Sequence, residues 1–332
     1  MKVGMFNTVR GGAARFAPYV SSYKGEMELV QFDVPPTIEN LELLRGCEAI
    51  ICASEEKRPE AFWAKMSEVG VRFVVTPTAS YDHLDLPTMA KYGIKAANVP
   101  FYSPNAISEH TVLSVLALLR MFRKQILRIE NKTYGLAGLM GKELRNQTVG
   151  IVGAGRIGYT TMKCLSGFGV KRILANDVNP NEVVKEVAEY VSLDELFEQA
   201  DVIIFHCVYN ESNHHMVNEE SIAKMKDGVY LVNVARGPIF DTHAVLEGVK
   251  SEKIAGVAID VLEENRVFEG NGDHLQESAI KALEELLTYP NVIFTNNSAF
   301  LTDEADKDMC EVTISNIHDF ITTGECIFEL KS

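Results

Sequence analysis

The sequence has no long apolar run, no excess of cations, no cysteine pair at metal or redox spacing and no internal repeat. Each absence removes a class of function. The longest apolar stretch, Thr111 to Leu119, is far too short to span a bilayer and is followed by Arg120 and Arg123. The amino terminus, Met-Lys-Val-Gly-Met-Phe-Asn, has no apolar signal-peptide region and reads as a first strand. Lysine and arginine number 32 against 46 aspartates and glutamates, a formal net charge of −14. Nucleic-acid backbones and anionic membranes need the opposite balance, so neither is expected as a partner. The six cysteines (Cys47, Cys52, Cys164, Cys207, Cys310, Cys326) are scattered, mostly in apolar contexts. They read as buried free thiols in a reducing, cytoplasmic compartment.

What remains is an ordinary globular composition, 46% hydrophobic and 23% charged, over 332 residues. That length supports two domains, each with its own core. Short β-like runs alternate with helical stretches, the pattern of parallel sheets covered on both faces. The expected strands are Val3–Phe6, Glu28–Phe32, Ala49–Cys52 and Phe73–Thr76. A second series follows at Thr148–Val152, Arg172–Ala175, Val202–Phe205, Tyr230–Val234, Ala255–Ile259 and Val292–Phe294. Between the two series a helix opens at Ser103-Pro104-Asn105. Its apolar residues (Val112, Leu113, Val115, Leu116, Leu118, Leu119) cover too many faces for a surface helix, which predicts burial. A terminal helix is expected from about Asp303 to Thr322, and the acid-rich stretch Glu263 to Glu285 as a surface wrap. The reading is α/β, with two Rossmann-like doubly wound domains: 1–102 with 299–332, discontinuous, and 103–298.

Gly153-Ala154-Gly155-Arg156-Ile157-Gly158 follows an apolar strand and opens a helix. The first glycine allows the tight turn, the second lets a pyrophosphate approach the helix N-terminus, and the third lets helix and strand pack closely. Asp177 closes the next strand, about 20 residues on, where an acid holds a ribose 2′-hydroxyl. It would repel a 2′-phosphate, and Asn179-Pro180 brings no arginine to receive one. The cofactor is read as NAD.

Six ordered motifs then carry a resemblance: Tyr81-Asp82-His83-Leu84-Asp85, Asn98-Val99-Pro100-Phe101-Tyr102-Ser103-Pro104-Asn105-Ala106, the glycine fingerprint, Asn233-Val234-Ala235-Arg236-Gly237, Gly256-Val257-Ala258-Ile259-Asp260-Val261 and Pro290-Asn291-Val292-Ile293-Phe294-Thr295. Together they resemble the D-2-hydroxyacid dehydrogenases, near the D-lactate and D-2-hydroxyisocaproate branch. The resemblance implies NAD contacts at Gly153, Gly155, Arg156, Ile157, Gly158, Asp177, Cys207, Val208, Asn213, Val234, Ala235, Arg236 and Asp260. It implies a substrate loop at Thr78, Ala79 and Ser80 with Tyr102 over the substrate, and a homodimer crossing at the helix from Pro104 to Met121 and its extension to about Tyr134.

In such enzymes an arginine clamps the substrate carboxylate, a histidine exchanges the hydroxyl proton and a glutamate raises that histidine's pKa. The arginine matches Arg236. The glutamate position, five after Asp260, is Asn265, and the histidine position is Asn297 within Thr295-Asn296-Asn297-Ser298-Ala299. An amide does not titrate near neutrality, so neither asparagine can pass a whole proton. Glu264 is one step off register. His83, His110 and His206 read as structural, His214 and His215 as a surface turn, and His243 as a polar helix start. Three readings compete: an NAD-dependent dehydrogenase of a small 2-hydroxy or 2-oxo acid with atypical acid/base residues, an NAD-binding enzyme of changed chemistry on such acids, and a non-catalytic NAD-dependent regulator. An intact carboxylate clamp favours the first two.

Overall fold

The computed structural model describes residues 1–23, 27–53, 57–81, 83–263 and 277–331. The chain divides into two compact units, Met1–Ser103 with Thr302–Ser332, and Pro104–Leu301.

The strands are β1 (Lys2–Phe6), β2 (Glu28–Phe32), β3 (Cys47–Ile51), β4 (Phe73–Val75), β5 (Lys95–Ala97), β6 (Thr148–Val152), β7 (Arg172–Asn176), β8 (Glu189–Tyr190), β9 (Val202–Phe205), β10 (Val229–Asn233), β11 (Ile254–Ile259), β12 (Val292–Phe294) and β13 (Glu329–Leu330). The first unit holds a sheet in the order β13-β5-β4-β3-β1-β2, and the second a sheet in the order β12-β11-β10-β9-β6-β7-β8. All pairings are parallel except β13 on β5, which is antiparallel. The central strands are apolar throughout because helices cover both faces of a parallel sheet; β9 and β10 are buried at every residue. The first sheet is packed between two cores, one around Phe62, Trp63 and Met66 and one around Phe16, Ile314 and Phe320.

The short strands β5, β8 and β13 were not expected, since Lys-Ala-Ala, Glu-Tyr and Glu-Leu carry none of the β-branched apolar run that marks β4 and β12. A second difference lies in the acid-rich stretch expected to wrap the surface. Glu277–Thr288 is a helix that buries Ala282, Leu283 and Leu286. Those residues recur at helical spacing, and the surrounding acids mask the stripe in composition. The helix Pro104–Leu119 buries Val112, Val115, Leu118 and Leu119 as expected, but Leu113 is exposed. All six cysteines are free; Cys47, Cys52 and Cys310 are buried, whereas Cys164, Cys207 and Cys326 are only partly so. Among the described residues no helix is long and apolar enough to cross a membrane.

One hydrogen-bonded chain ties the helix Pro104–Leu119 to the helix Arg156–Gly167 and to the end of β9. Ser108 Oγ donates to the Ile157 carbonyl, Thr161 Oγ1 donates to Ser108 Oγ, and His206 Nε2 lies 3.0 Å from Thr161 Oγ1. The Thr161 proton is already committed to Ser108, so His206 must donate from Nε2. The ring is therefore neutral with its proton on Nε2, and desolvation lowers its pKa from 6.5 to about 3. Below pH 6.5 the unfolded chain takes up a proton that the folded chain refuses, so stability falls with pH by up to about 1.4 kcal/mol per unit down to the folded pKa. Melting temperatures between pH 7 and 4.5 should therefore fall less steeply for His206→Gln than for the native chain. Equal slopes would show that His206 protonates within the fold.

Candidate active site

In the second sheet the chain runs from β6 outward through β7 and β8 on one side, and through β9 to β12 on the other. The order therefore reverses between β6 and β9, and such switch points, at the carboxyl ends of the strands, are where open α/β sheets hold ligands. The expected positions gather on that edge. Gly153 follows β6, Asp177 follows β7, Cys207 and Val208 follow β9, Val234 to Arg236 follow β10, Asp260 follows β11 and Asn297 follows β12.

At the switch point two backbones nearly touch. Gly153 has φ +96°, and a Cβ on it would sit 2.4 Å from the Cys207 nitrogen. A Cβ on Gly158 would meet the Gly153 carbonyl oxygen at 2.1 Å. These two glycines are demanded by packing. Gly155 is different: it has φ −69°, and nothing lies within 4 Å of an added Cβ. It also leads into the helix Arg156–Gly167 with no side-chain cap. An uncapped N-terminus beside open space offers its first-turn N–H groups and the helix dipole to an anion. Asp177 completes the loop: one carboxylate oxygen accepts from the Ala154 N–H (2.7 Å) and the other from the Asn179 N–H (2.8 Å). The arrangement fits a dinucleotide, with Gly155 as the opening for pyrophosphate and Asp177 as the acidic partner of a ribose.

Arg236 is exposed, and its guanidinium donates from Nη1 to the Ala235 carbonyl (2.8 Å). Among the described residues no carboxylate pairs with it. The loop that presents it is set by Asn233, wholly buried at the end of β10. That amide accepts from the Ala235 N–H and donates to the Arg236 carbonyl, both at 3.0 Å. Gly237 then packs so closely that an added Cβ would lie 2.0 Å from the Leu262 carbonyl carbon.

Asp260, expected at the cofactor, points inward instead. It is 3% exposed, and its oxygens accept from Thr295 Oγ1 (2.6 Å), the Ser298 N–H (2.9 Å) and the Ala299 N–H (3.0 Å). A buried carboxylate is tolerated only with such partners. His110 supports the same turn through Thr295 Oγ1 at 3.1 Å. Asn213 is likewise spent locally: its side chain accepts from the Asn210 N–H and donates to the Val208 carbonyl, both at 2.8 Å. Asn296 and Asn297 are both exposed and both left-handed, with φ 47° and 53°. Asn265 lies outside the described residues, as does Glu264. The sequence reading gave no role to Asn233 or Thr295, and read His110 as structural, which its contact with Thr295 matches. The available signal was a polar residue closing an otherwise apolar buried strand, as Asn233 does in Val-Tyr-Leu-Val-Asn.

In the first unit, Thr78 to Ser80 follow β4 and Tyr102 follows β5, again at carboxyl ends. Asn98 Nδ2 holds the Ala79 carbonyl at 2.7 Å, and Thr78 Oγ1 donates to the Ser80 carbonyl at 2.7 Å.

Residues 112–299 match the family model for the NAD-binding domain of D-isomer specific 2-hydroxyacid dehydrogenases. The chain belongs to that family. Over 314 residues it is 38% identical to the aromatic 2-oxoacid reductase of Clostridium sporogenes, covering 94% of this chain and 93% of the relative. It is 31% identical over 334 residues to the D-lactate dehydrogenase of Escherichia coli, covering 99% and 100%. The structure of D-2-hydroxyisocaproate dehydrogenase superimposes with a TM-score of 0.89 at 31% identity, with both chains covered in full. The protein is thus an NAD-dependent enzyme of this family, and NAD is the dinucleotide that the loop fits.

The glycines separate folding from binding. Gly158→Ala should cost about 1–3 kcal/mol of stability or more through overpacking. Gly155→Ala should melt like the native chain yet bind NADH at least about tenfold more weakly, a loss of about 1.4 kcal/mol, because its methyl occupies the pyrophosphate approach. Fluorescence titration and thermal melts decide it; native NADH affinity in Gly155→Ala would move the pyrophosphate elsewhere.

Proposed function

We propose that this protein reduces a small 2-oxo acid, or oxidises the matching 2-hydroxy acid, with Arg236 holding the carboxylate and without a side chain that titrates at the usual proton-donor position. The observation that carries the reading is Arg236: an exposed guanidinium, held by a buried amide at the cofactor edge, with no carboxylate of the described residues to neutralise it. A planar bidentate cation so placed suits a carboxylate ligand. The aromatic 2-oxoacid reductase among its relatives makes 2-oxo acids with aromatic side chains the first substrates to try.

NAD(H) supplies or accepts the hydride when bound. The chain must then protonate the developing alkoxide or deprotonate the alcohol, and Asn297 can only hydrogen-bond to it. Loss of a general acid/base costs on the order of 10²–10⁴ in rate. The backbone at Asn297 is left-handed, a conformation in which asparagine, aspartate and histidine are all enriched. A histidine can therefore be installed there without strain. Native turnover of pyruvate, phenylpyruvate or 2-oxoisocaproate should be slow or absent despite NADH binding. Asn297→His combined with Asn265→Glu should raise turnover by more than the two single changes together, since a glutamate helps only once an imidazolium exists to stabilise. Arg236→Ala should remove the activity. Brisk native turnover would overturn the reading, as would a double variant that binds NADH and gains nothing.

We also propose a homodimer. The helix Phe122–Glu130 and the loop after it expose Phe122, Ile126, Ile129, Tyr134, Leu136 and Met140, the last at 87%. Six exposed large apolar side chains within one helix and the loop after it are unusual on a soluble monomer. A second copy is the occupant that symmetry favours. Light scattering should give twice 36.8 kDa at micromolar concentration, and Ile126→Glu with Ile129→Glu should halve it. A native mass of a single chain would rule the dimer out.

A further inference from the structure

The loops that follow β9, β10 and β11 also assemble a cluster that the dehydrogenase chemistry does not use. His214 and His215 are neighbours in sequence, yet their imidazoles stack at 3.9 Å with 21° between planes. One ring nitrogen of each and one Glu263 carboxylate oxygen lie within 4.8 Å of one another, and His215 Nε2 is 2.8 Å from Glu263 Oε2. The opposite nitrogens have oxygen partners of their own. His214 Nδ1 is 3.2 Å from Tyr209 Oη, and His215 Nδ1 is 3.9 Å from Asp241 Oδ2. Metal-ligating histidines often have an oxygen behind the ring that fixes the tautomer and aims the other nitrogen at the ion; Tyr209 Oη is so placed for His214, whereas Asp241 contributes only its charge behind His215.

The backbone holds the cluster together. His215 adopts φ 48°, the left-handed region in which histidine is among the enriched residues, and its N–H donates to the Pro238 carbonyl at 2.8 Å. Gly237, next to Pro238, gives Leu262 and Glu263 the room to pass. Three loops are thus wedged so that both imidazoles and the carboxylate converge.

We propose that His214, His215 and Glu263 bind one divalent transition-metal ion of the zinc class. Two imidazole nitrogens and one carboxylate oxygen form a borderline donor set that suits zinc, cobalt or nickel. Magnesium and calcium demand mostly oxygen ligands and more of them. Three protein ligands leave a fourth, tetrahedral position for water. Small splaying of the stacked rings brings both Nε2 atoms onto one ion, and Asp241 adds negative charge behind His215. Once bound, the ion joins the β9 and β11 loops and braces them against the loop that carries Arg236. Metal should therefore raise the melting temperature of the native chain.

The test uses the full-length, tag-free chain after chelator treatment and dialysis. Zinc is titrated calorimetrically, and cobalt(II) is followed by its visible absorption. One ion should bind per chain, with cobalt bands of nitrogen and oxygen ligation. His214→Ala and Glu263→Gln should each weaken zinc at least about tenfold and abolish the zinc-dependent rise in melting temperature. Both variants are checked for native circular dichroism and NADH binding, so that a lost site is not confused with a lost fold. Absence of stoichiometric uptake by the native chain would overturn the proposal. So would undiminished binding in the two variants, or a thiolate charge-transfer band placing the ion on a cysteine.

Discussion

A near-contact between two backbones, Gly153 on Cys207, is the constraint from which the cofactor site follows. β6 and β9 are hydrogen-bonded neighbours, yet the chain leaves their ends toward opposite sides of the sheet. The loops can part only if the first turn after β6 is very tight, and it is, at φ +96°. With any side chain at 153 the strands would have to separate, and the buried run Val202–Phe205 would lose its neighbour. With glycine there, the helix Arg156–Gly167 begins immediately and uncapped, and Gly158 seats it against the turn. Asp177 is drawn in by the Ala154 N–H. The uncapped helix start and the position of Asp177 are both consequences of that one close approach.

Buried polar side chains do for the catalytic edge what the glycines do for the cofactor edge. Asn233 closes β10 and spends its hydrogen bonds on the backbone of the loop that follows, and Asp260, just after β11, spends its own on Thr295 Oγ1 and the backbone of the loop after β12. Leaving such groups unpaired would cost about 1–3 kcal/mol each, so the loops they hold are strongly specified. The turn at Asn297 is therefore an ordered structure, although the residue at its tip does not titrate.

The alternation of strands and helices, the glycine loop, Asp177 and Arg236 were legible in the sequence because each rests on a local rule: a period, a spacing or a residue type. The two-residue strands β8 and β13 were not, because pairing rather than pattern makes them. The helix Glu277–Thr288 was hidden by its acids. Asp260 was visible as a motif residue, but its direction was not, since only tertiary structure shows that Thr295, Ser298 and Ala299 surround it. His214 and His215 looked like a surface turn, and the approach of Glu263, 48 positions away in sequence, is a property of the fold alone.

The proposed pairing of an arginine clamp with a missing acid has a definite kinetic meaning. A carboxylate clamp grips substrate and transition state alike, so the energy it supplies appears in binding. A proton donor acts only as charge develops on oxygen, so its loss falls on the chemical step. On the proposed reading, with Arg236 as the clamp and an amide at the proton-donor position, 2-oxo acids are bound ordinarily and turned over poorly: kcat falls while KM stays near that of an intact enzyme. A chain that had drifted away from these substrates altogether would show the reverse, with affinity lost as well. The hydrogen bonds that hold the Arg236 loop stand against that second course, because nothing in the packing of β10 requires an exposed guanidinium there.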